Sequence, residues 1–220
     1  MQDRGREGRQ VAIVDLGNTN LTRYKYALAA LGHRPEVATS GASIAEAPVA
    51  IVPGSGNLHQ TIQHLQRSGL AEGLRARVEA GLPTLAINIG TQVFCEGYVD
   101  IDGSGAGLGF LPGIVRRLPD QGVKGDPLIN PHIGWNAVKV LSPVGPVTKD
   151  DIFYFAHQRV IDVGTRWDEC VKAQTQHTLI FPAVISQGSL VGLQFQPELS
   201  GTAGLRLLSD FCRQAAPLSA

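Results

Sequence analysis

The chain is short of several things, and each shortage excludes a class of answer. Only three of its 220 residues are cysteine: Cys95, Cys170 and Cys212. An odd number at no metal-like spacing supports neither a disulfide framework nor a zinc site, and a reducing cytoplasm fits best. Neither sign of charge is in excess, since 19 Lys and Arg balance 19 Asp and Glu. A net charge of zero gives no electrostatic reason to expect nucleic acid or an anionic membrane as partner. No apolar run approaches the length of a membrane span, and the polar stretch 1–10 has no apolar core of a secretory signal. That stretch reads as a disordered lead-in to one domain over 11–215, a length that buries a substantial core.

What the chain does have is alternation. Val11-Ala-Ile-Val14 and Val49-Ala-Ile-Val52 are continuous apolar runs, the mark of strands buried on both faces. Between them, 21–31 has helical spacing at Leu21, Tyr24, Leu28 and Leu31, stopped by Gly32, and 34–39 reads as a further strand. Residues 62–81 are mostly helical with a break near Gly69. This βα alternation predicts a doubly wound, mostly parallel central sheet of flavodoxin-like type. After Gly97 the pattern changes to short alternating segments at 114–118, 137–141, 153–160 and 171–175, then a hairpin around Gln187-Gly188. These predict a smaller antiparallel strand region beside or continuing the first sheet. A helix with Leu205, Leu208 and Phe211 on one face closes the chain over 201–215.

Pro83-Thr-Leu-Ala-Ile-Asn-Ile-Gly-Thr-Gln92 is the stretch on which function turns. It reads as a buried strand, a sharp turn at Asn88, and a helix running to about Gly97, the outline of a nucleophile elbow. Ala86 and Gly90 allow the tight approach that an elbow needs. The turn residue, however, is a carboxamide with a poorly nucleophilic nitrogen. Loops 17–20, 54–57 and 88–90 leave the carboxyl ends of three parallel strands, where such sheets place their ligands.

Pro53-Gly-Ser-Gly56, the Asn88 elbow and Gln194-Phe-Gln-Pro-Glu198 follow one another in the order and spacing of the class I glutamine amidotransferases. Asp15-x-Gly-x-x-Asn20, Gly107-Leu-Gly-Phe-Leu-Pro-Gly113, Pro131-His-Ile-Gly-Trp-Asn136 and Tyr154-Phe-x-His157 narrow the match. With these the chain resembles the glutaminase subunit of imidazole glycerol phosphate synthase from about Val11 to Phe211. The resemblance implies a cysteine–histidine–glutamate triad that releases ammonia from glutamine. It also implies a (β/α)₈ barrel cyclase-type partner in histidine biosynthesis, and neither cofactor nor metal. By the same resemblance Gly54, Ser55, Gly56, Ile89, Gly90 and Gln92 belong to the glutamine-binding surface. Asn18, Asn20, His132, Gly134, Trp135, Asn136 and His157 belong to the partner-facing side.

The departures carry as much weight as the matches. Asn88 stands at the cysteine position and Gln196 at the histidine position; only Glu198 of the triad is retained. Gln196 has no group titrating near neutrality, so it cannot act as general base. Gln158 stands where the family has a serine, which puts glutamine binding in doubt. Asn88, Gln196 and Glu198 are expected to form a neutral hydrogen-bonded cluster. Cys95, taken as two helical turns beyond the elbow, is expected to pack as a small hydrophobe, and His59 and His64 to lie on an exposed helix face. Three readings stay open: a non-catalytic subunit that organises a barrel synthase, a cavity reused for another ligand or reaction, and an active glutaminase carrying inactivating substitutions.

Overall fold

The computed structural model describes residues 8–121, 125, 127, 129–143, 147–148 and 151–214. The first half alternates as the sequence predicts. Strand β1 (Gln10–Val14), helix α1 (Leu21–Ala30), β2 (Arg34–Ala38), α2 (Gly41–Glu46) and β3 (Val49–Gly54) lead to α3 (Leu58–Ser68) and α4 (Leu70–Glu79). Then come β4 (Thr84–Asn88) and the single turn α5 (Ile89–Gln92). The second half is strand-rich: β5 (Cys95–Asp100), β6 (Gly103–Ala106), β7 (Leu111–Arg117), β8 (His132–Ala137), β9 (Lys139–Val140), β10 (Ile152–His157) and β11 (Arg159–Asp162). A short α6 (Trp167–Cys170), β12 (Val171–Gln176), β13 (Ile180–Gln187), β14 (Leu190–Leu193) and α7 (Gly201–Gln214) complete it.

The central sheet runs β2–β1–β3–β4–β14–β13–β12–β9. Its first five strands are mutually parallel, and β13, β12 and β9 continue it antiparallel. Because both faces are covered, β1 and β3 need apolar residues at every position. Ala12 and Val14 pack with Leu58, Leu65 and Leu74 on one side, while Val11 and Ile13 pack with Tyr24, Leu28 and Leu208 on the other. Two smaller sheets, β11–β7–β5–β6 and β10–β8, cap the carboxyl edge. Within them only β5 and β7 run parallel. Arg77 of α4 is fully buried and donates to Thr84 Oγ1 and to the carbonyls of Ile44, Ala47 and Pro83. Burial lowers its pKa to about 10, and the carbonyls take the place of a counter-ion.

Four expectations need correction. The helix after the elbow ends at Gln92, and Cys95 opens β5 rather than lying two helical turns on. Val93, Phe94 and Cys95 are all completely buried, so no polar face marks the change of element. A strand begins at His132, five residues before the segment expected at 137–141. His59 is half-buried, with Nδ1 2.6 Å from the Tyr98 hydroxyl, while His64 is exposed as expected. Gln10 already pairs with Arg34 in β1 rather than belonging to a lead-in; residues 1–7 of that stretch, and Ala215 of the closing helix, lie outside the described residues.

Candidate functional site

The elbow is built by steric permission. Asn88 has φ 54° and ψ −116°, the one positive φ among the described non-glycine residues. Such a conformation costs about 1–3 kcal/mol and persists only where the surroundings impose it. Here they do: a Cβ on Gly54 would lie 2.5 Å from the Gly90 nitrogen, and one on Gly90 would lie 1.7 Å from the Val52 carbonyl. Only glycines let β3 and α5 meet this closely, and their meeting forces the turn. The three loops expected to converge do so. Ser55 Oγ donates to the Asn18 carbonyl at 2.7 Å, and Asn18 Nδ2 donates to Thr61 Oγ1 at 2.7 Å. Asn20 caps α1 by accepting from the Thr22 amide.

The expected cluster of Asn88, Gln196 and Glu198 is not what forms. Instead, carboxamides hand donors along a line. Gln92 Nε2 donates to Gln194 Oε1 at 3.5 Å, Gln194 Nε2 to Asn88 Oδ1 at 3.2 Å, and Asn88 Nδ2 to the Ala156 carbonyl at 3.1 Å. Gln92 Nε2 also donates to the Arg159 carbonyl at 3.3 Å, and its Oε1 is buried without a partner. Glu198 instead interacts with the buried hydroxyl of Tyr24 on α1; burial raises its carboxyl to about 6, against the lowering effect of that bond. Gln196 is half-buried, and its backbone amide donates to the Tyr154 carbonyl. Thus Gln194, two residues before the base position, is the one that touches the elbow side chain. Its place inside the late motif was the available signal.

A cavity of about 510 Å³ opens beside Asn88, lined by Gly56, Ile89, Gln92, His157, Gln158 and Arg159 among others. Gly54, Ser55 and Gly90 are not among the lining residues. Both nitrogens of His157 are engaged, Nε2 with His132 Nδ1 at 3.0 Å and Nδ1 with the Arg159 carbonyl at 2.9 Å. Burial is the main cause that holds both imidazoles well below their ordinary range. His132 stacks on His177, ring centroids 4.1 Å apart. Arg159, which sequence reasoning passed over, pairs with Asp100 and Asp102 and also donates to the Gly56 carbonyl. A charge directly before the apolar pair Val160-Ile161 was its signal.

The strand pair β8–β10 has two different faces. His132, Phe153, Phe155 and His157 are buried. Ile133, Trp135 and Ile152 are exposed, and Trp135 meets Tyr154 edge-on at 5.9 Å. Asn136 does not face outward with them but donates to the Gln176 carbonyl at 2.8 Å, and Gly134, at φ 141°, sits between Ile133 and Trp135. Cys95 is completely buried, and burial pushes its thiol far above the ordinary range. Among the described residues no group of His, Cys, Asp and Glu could hold a metal ion, and no helix is long and apolar enough to cross a membrane.

Sheet order, elbow and late motif together define the scaffold of a class I glutamine amidotransferase. The CobB/CobQ-like glutamine amidotransferase domain family matches residues 11–121. The imidazole glycerol phosphate synthase subunit HisH of Moorella thermoacetica is 37% identical over 206 residues, covering 92% of this chain and 94% of that one. The same subunit of Symbiobacterium thermophilum is 35% identical over 219 residues, covering 95% and 96%. A crystal structure of a glutamine amidotransferase superposes with TM-score 0.71 at 21% identity, covering 93% of this chain and 98% of that one. PurLQS from Thermotoga maritima superposes at 0.68 and 17% identity, covering 93% and 97%. The chain belongs to the HisH family of glutamine amidotransferase subunits.

Proposed function

We propose that this chain is a HisH-type subunit that does not hydrolyse glutamine and serves in the cytoplasm as the non-catalytic partner of a (β/α)₈ cyclase-type synthase. The observation that carries the reading is the elbow. Its side chain is a carboxamide, both ends of which are hydrogen-bonded to protein. The position of the family's base is Gln196, which has no group titrating near neutrality. The carboxamide line satisfies Asn88 at both ends, so the elbow keeps its shape without the chemistry, while Gln92 Oε1 and Glu198 Oε2 stay buried and unpartnered. The exposed Ile133, Trp135 and Ile152 supply an apolar face for the barrel. Any amination by such a complex draws on free ammonia.

The test is glutamate release from glutamine by the purified chain, alone and with the cyclase subunit of its own genome. The expected rate lies on the order of 10⁴–10⁶ below that of a relative with an intact triad. Co-elution with the cyclase and ammonia-dependent turnover are expected in the same preparation. Hydrolysis at the rate of the intact relative would overturn the reading.

A further inference from the structure

One guanidinium lines the wall of the cavity beside Asn88. Arg159 begins β11, and its side chain is only 8% exposed. Its Nε donates to Asp100, whose side chain is 4% exposed, and one terminal nitrogen donates to Asp102 at 3.1 Å. The other donates to the Gly56 carbonyl at 3.3 Å. Asp102 also accepts from Asn57 at 2.7 Å, and the Arg159 carbonyl accepts from Gln92 and His157. The loop after β3, the β5–β6 turn, α5 and β10 therefore all meet at this residue.

Asp102 lines the cavity and the nearly buried Asp100 shares its guanidinium; the pair requires a cation, because an uncompensated buried carboxylate is strongly unfavourable. A nearby acceptor, Gln92 Oε1, is also unpartnered; its amide orientation is fixed because Nε2 already serves two oxygens. Without the guanidinium this wall is a ready site for a protonated amine. With it, the positive charge is supplied by the chain itself.

We propose that Arg159 is the specificity-determining residue of the cavity: an internal counter-ion that occupies the place of a ligand's ammonium group and closes the site to amines and amino acids. The assignment deepens the non-hydrolysing reading, since it concerns the same cavity, but it rests on separate residues. It makes the site lose ligand recognition as well as chemistry.

The experiment compares the full chain with Arg159→Ala and Arg159→Gln by thermal unfolding and calorimetric titration. The probes are methylammonium, L-glutamine and glycine, with tetramethylammonium, which has no N–H donor, as control. The wild type is expected to respond to none of them beyond the control. The alanine variant is expected to bind methylammonium at least about tenfold more tightly than the wild type, a difference of about 1.4 kcal/mol. The glutamine variant keeps a donor for the Gly56 carbonyl and is read if the alanine variant does not fold. Arg159→Lys, which keeps the charge, is expected to stay closed. Wild-type binding of amines as tight as in the variants, or a folded variant that gains none, would overturn the assignment. Glutamate release measured on the same samples separates the two readings. Amine binding gained without hydrolysis leaves both standing. Hydrolysis of glutamine by the wild type sinks both, since an amino acid would have entered the cavity, whereas a folded variant that gains no amine binding sinks only the assignment of Arg159.

Discussion

At the scale of residues, Glu198 is the one triad position that matches the family motif, and its neighbour is Tyr24 of α1. Glu198 interacts with Tyr24, and burial raises its carboxyl to about 6. A carboxyl whose native value lies above its unfolded value, about 4.3, binds more protons when folded. Its favourable contribution is therefore complete below about pH 4.3 and is lost as the pH rises through about 6. Glu198→Gln keeps an acceptor for Tyr24 and removes the charge. The variant is expected to gain thermal stability over the wild type at pH 7–8, with the gain shrinking toward pH 4.5. A midpoint difference independent of pH over that range would count against the assignment. The residue scale is also where the sequence was least complete. Asn88 and Gln196 were visible as substitutions, but their hydrogen-bond partners were not. Gln194 meets Asn88 across 106 positions of chain, and Arg159 meets Asp100 across 59. Such pairings depend on sheet order, which local pattern does not encode.

At the scale of elements, legibility follows burial pattern. β1 and β3 were readable because a strand covered on both faces leaves an unbroken apolar run. The β13–β14 hairpin was readable because Gly188 supplies a turn at φ 58°. The end of α5 was not readable, since helix and strand are equally buried there. The β8–β10 pair carries its own pH dependence. His132 and His157 are held below the ordinary imidazole range, chiefly by burial and then by neighbouring histidines. Their neutral forms are favoured in the native state, so the unfolded chain binds more protons in mild acid. The stability this provides is complete above about pH 6.5 and declines as the pH falls from there toward the lowered native values. Amide exchange in β8 and β10, measured at pH 7 and pH 5 and corrected for intrinsic rates, is expected to lose protection at the lower pH. His157→Gln is expected to blunt that loss; unchanged protection in the wild type would contradict the argument.

At the scale of the whole molecule, the architecture sets the elbow and the exposed face of β8–β10 side by side. The elbow lies at the carboxyl ends of β3 and β4, and β8–β10 forms an independent two-stranded sheet over the same edge. Phe153 and Phe155 share one core cluster with Leu85 and Ile87 of β4, the Ala156 carbonyl of β10 accepts from Asn88, and Ile133 lines the cavity beside it. Trp135 and Ile152 are not part of that lining, so substitution of the elbow leaves them exposed to a partner. Trp135, 55% exposed and braced on one side by Tyr154, has the form of an interface anchor. Large, pre-positioned aromatics of this kind account for a disproportionate share of binding energy. Trp135→Ala is expected to weaken binding to the cyclase subunit by about 2 kcal/mol or more, roughly thirtyfold, while leaving thermal stability nearly unchanged. Asn88→Ala is expected to do the reverse. It orphans the Gln194 amide and costs about 1–3 kcal/mol of stability, with little effect on the partner's affinity. Titration calorimetry against the cyclase, paired with chemical denaturation of each variant, reads both quantities. If Trp135→Ala left affinity intact, this face would not be the docking surface. If Asn88→Ala abolished binding without unfolding the chain, the site and the interface would be a single coupled unit.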